Sequence, residues 1–431
     1  MEIKDLHSFF LDSSGVCTDT RKVQLNSIFF ALKGDNFNGN KFADQAIEKG
    51  CSCAVVDQKS VIENSNHDQN QFILVDDVLL TLQKLANHHR NHLNTKVIGL
   101  TGSNGKTTTK ELLQAVLSKK FKTFATPGNF NNHIGLPLTI LQTPHDTELL
   151  ILEMGDNQPG DIDELCEISD PDCGIITNIG KDHIEGFGSM EGNVKSKKEL
   201  FDYLSKRDRT CFYNGENEYS SQLIEGISNT ADFSAENSLS IKEQNPFISY
   251  KSEDGNIYQS KLIGAYNIDN INCAYRIGKF FGVSDDKIHE AITSYTPSNN
   301  RSQFIETNGG NQIFLDAYNA NPTSVEKALK SFSEMRSDRE KWVLLGDMLE
   351  LGSISKDEHR NILSLLKELN FKNVVLVGNA FHEFEDEFSF SFFDKKEKAM
   401  EFAQNQKLKN ALILLKGSRG LKMEEFTDVI P

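Results

Sequence analysis

Residues 96–117 read KVIGLTGSNGKTTTKELLQAVL. An apolar run leads into a glycine-rich turn, and the turn opens a run with helical spacing. Leu112, Leu113, Val116 and Leu117 share one face of that helix. Strand, turn and helix in this order commit the chain to an α/β sheet with the turn at its edge. Backbone amides of such a turn and of a helix N-terminus point at one place, where they bind phosphate oxygens. The loop is formed by Gly102, Ser103, Asn104, Gly105, Lys106, Thr107 and Thr108. Lys106 is placed to reach terminal phosphates, and the Thr107 hydroxyl to ligate a bridging Mg²⁺. The usual pattern GxxxxGK[ST] asks for glycine at position 100, which is Leu100 here; the glycines are Gly99, Gly102 and Gly105. The loop is a variant with an intact GKT end.

Other strands and helices follow the same alternation. LLILEM (149–154) and CGIITNI (173–179) read as buried parallel strands. Upstream, SIFFAL, CAVV and QFILV are short strand-like runs around the helical NKFADQAIEKG, and DDVLLTLQKLANHHRNHL is a helix leading out of a small first domain. Residues 211–263 turn polar, with alternating patches FISYKS and IYQSKL, and read as an antiparallel annex. NIDNINCAYRIGKFFG returns to helix and stops on a glycine. From Arg301 onward, QIFLDAY, KWVLLGD, NVVLVG and ALILLKG alternate with helical segments. The expected architecture is α/β in three domains: 1–90, 91–300 and 301–431. The first is a small α/β domain. The second is a phosphate-loop parallel sheet with an antiparallel annex, and the third is a Rossmann-like α/β domain.

A chain of 431 residues is too long for one core. Its net charge of −16 argues against a nucleic-acid backbone as partner. No apolar stretch approaches about 20 residues, so no membrane-spanning helix is expected. The start, MEIKDLHSFFLDSSG, lacks a basic end followed by a long apolar run, so no secretory signal is expected either. Seven cysteines are scattered, without a CxxC or a Cys/His cluster, which fits small buried thiols in a reducing cytoplasm.

Further residues gather at the ends of the predicted strands, where open parallel sheets bind ligands. Glu153 closes LLILE, and His183 lies just past CGIITNI. With Thr107, Glu153 offers the oxygen ligands that Mg²⁺ prefers; a histidine is a less usual ligand for it. TPGNFNNHIGLP (126–137) is too polar for core, and Asn129, Asn131 and Asn132 there suit hydrogen bonding to a polar substrate. DAYNANPTS (316–324) and LKGSRGLKME (415–424) put turns at strand ends of the third domain, as if it closes onto the second.

Taken together, TGSNGKTTTKE, GNFNNHIGLPLT, LEMGDNQPGDI, TNIGKDHIEGFGS, DAYNANPTS, LGDMLELG and KGSRGLKME resemble, in order, the Mur ligases of bacterial cell-wall synthesis. CTDTRKVQLNSIFFALKGDNFNGNKFADQAIEKG (17–50) is similar to that family's uridine-nucleotide-binding start, so nearly the whole chain is covered. NANP and EMG point to the branch that adds D-alanyl-D-alanine. The resemblance implies a cytoplasmic enzyme, a monomer, that uses ATP and Mg²⁺. It would join D-Ala-D-Ala to UDP-MurNAc-tripeptide through an acyl phosphate. By the same resemblance Thr107, Glu153 and His183 hold magnesium, and Lys197 is the lysine that becomes carbamylated, with Lys195 and Lys198 as neighbouring alternatives. Asn319 would contact adenine, while Arg301 and Asp347 face the nucleotide. Thr18, Asp19, Thr20, Arg21 and Gly34 would line the uridine-diphosphate pocket. Two positions depart from the family: Asp156 stands where alanine is usual after EMG, and Tyr266 replaces a histidine in GAYNIDN. A folylpolyglutamate synthetase shares the loop and the ligase chemistry, but TDTR…FFALKGD speaks against it. A non-enzymatic nucleotide switch would leave the metal-capable residues without purpose.

Overall fold

Cys53–Val56, Leu149–Glu153 and Ala411–Lys416 are buried at every residue, as strands covered on both faces must be. They belong to three different sheets of a computed structural model that describes residues 2–234 and 239–431. The chain divides into two compact units: Met1–Leu100, Phe121–Asp156 and Gly160–Gly174 form one, and Thr101–Lys120, Asn157–Pro159 and Ile175–Pro431 the other.

In the first unit, a parallel sheet runs in the order Val16–Cys17, Ile28–Phe30, Cys53–Val56, Phe72–Leu74. The helix Val78–Arg90 follows. Asp77 caps it by accepting from the Leu80 amide at 2.8 Å, and it packs against Ile3–Leu11, Gly135–Leu141 and Asp161–Ser169. Its last residue, Arg90, is buried; its guanidinium donates to the Ser169 carbonyl at 2.9 Å and to Asp172 at 2.9 Å. Beyond it, Thr123–Ala125, Leu149–Glu153 and Lys96–Thr101 pair in parallel, with Leu100 opposite Glu153.

In the second unit, the helix Lys106–Leu117 buries Leu112, Leu113, Val116 and Leu117 completely, and packs against Asn267–Phe280 and Asp285–Ser294. The last part of the chain forms a six-stranded sheet in the order Gln303–Glu306, Gln312–Asp316, Ala411–Lys416, Glu340–Gly346, Asn373–Val377, Ser391–Phe393. All its pairs are parallel except the first, an antiparallel edge. One face buries Val325, Leu329 and Phe332 from the helix Pro322–Glu334 and Ile362, Leu363 and Leu366 from Ser355–Glu368. The other buries Ala399, Ala403, Met423 and Phe426. Cover on both faces is what makes the sheet's strands read as unbroken apolar runs.

Residues 211–263, expected as one antiparallel annex, divide. Ser240–Gln244, Phe247–Lys251 and Ile257–Ile263 do form an antiparallel sheet. Thr210–Tyr213 and Thr230–Asp232 instead pair in parallel and extend the strand Cys173–Ile176. The reason is position: Thr230–Asp232 is an edge strand, half-buried at each residue, so it carries the polar composition of a strand that faces solvent. Residues 235–238 of this stretch lie outside the described residues. All seven cysteines are buried and outside any disulfide. Among the described residues, no helix is long and apolar enough to cross a membrane.

Candidate active site

The phosphate loop takes its shape from two glycines. Gly102 has φ +139° and Gly105 has φ +79°, both in the region that favours glycine. A Cβ at Gly102 would stand 2.1 Å from Thr177 Oγ1, and one at Gly105 would stand 2.4 Å from Asn270 Oδ1. The loop is thus pressed from two sides and leaves no room for side chains. Thr177 Oγ1 donates to the Asn104 carbonyl at 2.7 Å, Asn178 Nδ2 donates to the same carbonyl at 2.9 Å, and the Asn104 amide donates to Asn178 Oδ1 at 3.1 Å. Thr109 Oγ1 donates to Asn270 Oδ1 at 3.0 Å. Thr107 is 2% exposed and Thr108 7%. Lys106 opens the helix, and its ammonium folds back to donate to the Gly102 carbonyl.

Beside the loop lies a buried charged cluster. Ser103 Oγ donates to Asp182 Oδ1, and Asn193 Nδ2 donates to the same oxygen at 2.7 Å. Lys197 Nζ is 3.5 Å from Asp182 Oδ2 and 4.7 Å from the centre of the Phe187 ring, with no exposed surface. Burial pushes the Asp182 carboxyl up. The charges of Lys197 and Lys106, with hydrogen bonds from Ser103 and Asn193, outweigh it and hold the group below the usual carboxylate range. Lys195 is exposed, and Lys198 pairs with Asp202 at 2.5 Å on the helix flank. Of the three lysines, Lys197 is therefore the one that enters the cluster.

His183 adopts φ +48°, and its Nδ1 lies 2.8 Å from Glu350 Oε2. That hydrogen bond keeps the Glu350 carboxyl below its usual value despite partial burial. Asn321 Nδ2 donates to Asn104 Oδ1 at 2.9 Å, and Lys181 pairs with Glu358 at 2.7 Å. The stretch 316–324 thus does reach the phosphate loop, but through Asn321. Asn319 is exposed, and its Oδ1 accepts from the Ala320 amide at 2.9 Å. The Arg301 guanidinium stacks 3.7 Å from the centre of the Tyr318 ring, with Arg419 5.7 Å from the same ring. Asp347 accepts from the amides of Ala380 and Phe381 at 2.9 Å each, so its carboxylate holds the start of the short helix Asn379–His382. Tyr266 brings its hydroxyl to 3.5 Å from Ser302 Oγ.

In the first unit, Asn131 Nδ2 donates to Glu153 Oε1 at 2.9 Å, and Glu153 is 1% exposed. Asn132 Oδ1 accepts from the amides of Ile134 and Gly135 at 3.2 and 2.8 Å, so it starts the helix Gly135–Leu141. Asn129 is exposed. In the N-terminal sheet's loops, Arg21 grips Asp19 with two nitrogens, which lowers the Asp19 carboxyl to about 2. Thr20 donates to Gln45 at 2.9 Å, Thr18 is half-buried, and Gly34 is exposed in open space.

Asp182, Asn193 and Asn321 escape a sequence reading that names His183 and Asn319. The signal available was a charged residue directly before His183 and a second asparagine inside NANP.

A glycine loop with a lysine at a helix start, backed by a buried carboxylate, defines a phosphate-handling α/β protein. The sequence carries three profiles of one family. "Mur ligase family, catalytic domain" matches residues 12–90, "Mur ligase middle domain" 100–278 and "Mur ligase, glutamate ligase domain" 300–419. The chain belongs to the Mur ligase family. It is 36% identical to a UDP-N-acetylmuramoyl-tripeptide–D-alanyl-D-alanine ligase of Bacillus subtilis, over 95% of this chain and 92% of that one. MurF from Acinetobacter baumannii superposes with a TM-score of 0.86 at 28% identity, covering 96% of this chain and 93% of that one. MurF of Thermotoga maritima in complex with ADP gives 0.83 at 27% identity, covering 96% of each.

Proposed function

We propose that this chain joins D-alanyl-D-alanine to UDP-MurNAc-tripeptide, with cleavage of ATP to ADP and phosphate. One observation carries the reading: Lys197 is buried beside Asp182 and the phosphate loop, in a chain matched along its length by ligases of that name. A carboxylate does not react with an amine unaided. The terminal carboxylate of the tripeptide therefore attacks the γ-phosphorus of ATP, and ADP leaves. The dipeptide amine then attacks the resulting acyl phosphate, and phosphate leaves from a tetrahedral intermediate, with the amine's proton passing to solvent or a base.

The loop amides and Lys106 hold the transferring phosphoryl group and offset its charge. Thr107 and a carbamylated Lys197 supply oxygen donors, which fit Mg²⁺, with Asp182 Oδ2 a further buried oxygen beside Lys197; the family resemblance adds Glu153 as an oxygen ligand. Magnesium bound there would draw charge from the phosphate oxygens. Lys197 takes up CO₂ at its neutral amine, loses a proton and becomes an anionic carbamate. His183, oriented through Nδ1 by Glu350, leaves Nε2 as the nitrogen that would hold a metal. Arg301, Asn319 and Asp347 belong to segments that flank the nucleotide. Thr18, Asp19, Thr20, Arg21 and Gly34 hold the uridine diphosphate, and Asn129, Asn131 and Asn132 the peptide arm. The domains of this reading are 1–90, 91–300 and 301–431, and the enzyme works as a cytoplasmic monomer.

The test is ADP release by the pure protein with UDP-MurNAc-tripeptide, with and without D-Ala-D-Ala, and separately with a folate and glutamate in place of both. Dipeptide-dependent turnover supports the reading. Turnover that needs glutamate and a folate would transfer the chain to the folylpolyglutamate synthetase reading. No turnover under any condition would leave a nucleotide-binding scaffold.

A further inference from the structure

The first unit contains a second cluster, made of residues that carry no role above. His7 lies on the helix Ile3–Leu11, and His88 lies in the last turn of Val78–Arg90, with His92 just beyond. Each offers one ring nitrogen, and these nitrogens lie within 4.8 Å of one another. Among the described residues, this is the one group of three histidine, cysteine or carboxylate side chains gathered so closely. The three ring centres are 4.4 to 4.8 Å apart.

The surrounding hydrogen bonds decide which nitrogens carry protons. His92 Nδ1 is 2.7 Å from the His88 carbonyl oxygen. Only an N–H approaches a carbonyl oxygen in that way, so Nδ1 is protonated and Nε2 keeps its lone pair. His7 Nε2 is 3.1 Å from His89 Nδ1, and with His7 as donor its Nδ1 is a lone pair too. His89 is buried and packs edge-on against Phe10 and His145, which fixes the His7 ring from behind. This is the arrangement that orients metal-binding imidazoles: one nitrogen held by a neighbour, the other presented. Burial and the other histidines lower the proton affinity of His7, and burial, His92 and Lys4 that of His88. His7 is 5% exposed, His88 half-buried and His92 exposed, so the cluster has a closed floor and an open mouth.

We propose that His7, His88 and His92 bind a late first-row divalent cation such as Zn²⁺, with water in the fourth position. The donor set selects this class: three imidazoles suit zinc, while Mg²⁺ and Ca²⁺ require oxygen. A tetrahedral ion with bonds of about 2.0–2.1 Å spaces its ligands about 3.3 Å apart. Adjustment of the half-buried His88 side chain would bring the nitrogens, which lie within 4.8 Å of one another, toward that spacing while His92 stays held by the His88 carbonyl. A bound ion would tie the helix Ile3–Leu11 to the end of Val78–Arg90. The proposal is independent of the ligase reading.

The experiment uses the full-length chain without a histidine tag, stripped with EDTA and titrated with ZnCl₂ by calorimetry and thermal unfolding. His92→Ala and His92→Gln are run beside it, with circular dichroism to show that these exposed-site variants fold. The wild type is expected to take up one more Zn²⁺ than either variant, or to bind it at least about 100-fold more tightly. It should also gain a thermal shift that the variants lack and that Mg²⁺ does not produce. Co²⁺ should give the intense visible bands of a four-coordinate site in the wild type alone. Equal zinc uptake and equal thermal shift in wild type and variants, or no uptake, would overturn the proposal and leave the rings as packing only.

Discussion

Asn321 Nδ2 donates to Asn104 Oδ1 at 2.9 Å, across 217 positions of sequence. The same asparagine caps the helix Pro322–Glu334, where its Oδ1 accepts from the Ser324 amide at 2.8 Å. One side chain thus starts a helix and steadies the phosphate loop, and a substitution can separate the two tasks. Asn321→Ser keeps a capping oxygen but loses the reach to Asn104. Losing one neutral hydrogen bond of about 0.5–1.5 kcal/mol predicts a KM for ATP raised about 3- to 10-fold, with the thermal midpoint nearly unchanged. A lowered midpoint with an unchanged KM would show that the bond serves the fold alone.

Lys106→Ala should remove the cation that balances the transferring phosphoryl group. A loss of about 10²–10³ in kcat is expected, with the fold intact by circular dichroism. Near-normal turnover would refute the phosphate-loop assignment.

Lys197→Ala should be nearly inactive and should recover partly with added short carboxylic acids, which can occupy the vacated volume with an anionic oxygen pair. Lys195→Ala and Lys198→Ala, altering side chains outside the buried cluster, should keep activity and ignore the acids. Rescue at a neighbouring lysine, or full activity in the Lys197 variant, would remove carbamate from the mechanism.

Arg21→Ala should weaken UDP-MurNAc-tripeptide much more than ATP. The forked guanidinium is exposed and held in place by Asp19, an arrangement suited to a diphosphate. Equal losses in the two titrations would move the sugar nucleotide elsewhere.

His359 gives the fold a defined response to acid. It is fully buried, accepts from the Met348 amide at Nε2 at 3.1 Å, and directs Nδ1 to the Ser355 carbonyl at 2.7 Å, so it is neutral. Burial lowers its proton affinity below the ordinary 6.5, although Ser355 and Asp347 pull the other way. As pH falls, the unfolded imidazole takes up its proton first. The contribution of this residue is complete above about 6.5 and drains away below it. Thermal midpoints measured from pH 7.5 to 5.5 should fall less steeply in His359→Gln than in the wild type; parallel curves would assign the acid sensitivity to other groups.

The strands were legible because burial on both faces leaves unbroken apolar runs: CAVV coincides with Cys53–Val56, and LLILE with Leu149–Glu153. The loop was legible because its glycines are required by contact with Thr177 and Asn270. What stayed hidden depends on distant partners. Asp182 looks like one more polar loop residue until Ser103, Asn193 and Lys197 surround it. Asn321 looks like an ordinary helix cap until Asn104 meets it. The polar edge strand Thr230–Asp232 carries no mark that distinguishes parallel from antiparallel pairing. The histidines of HHRNH carry a readable one-turn spacing, yet their third member comes from position 7, and a scan for local clusters passes over it.

Asn104, Asn178, Asn193, Asn270 and Asn321 contribute five carboxamides to the frame of the phosphate loop and its buried carboxylate. Carboxamides stay uncharged across the whole pH scale, so these five add no further ions beside Lys106, Lys197 and Asp182 to compete with an arriving triphosphate. They act as a frozen solvent: dipoles already turned and held by neighbouring side chains and backbone, where liquid water would have to reorient during each turnover.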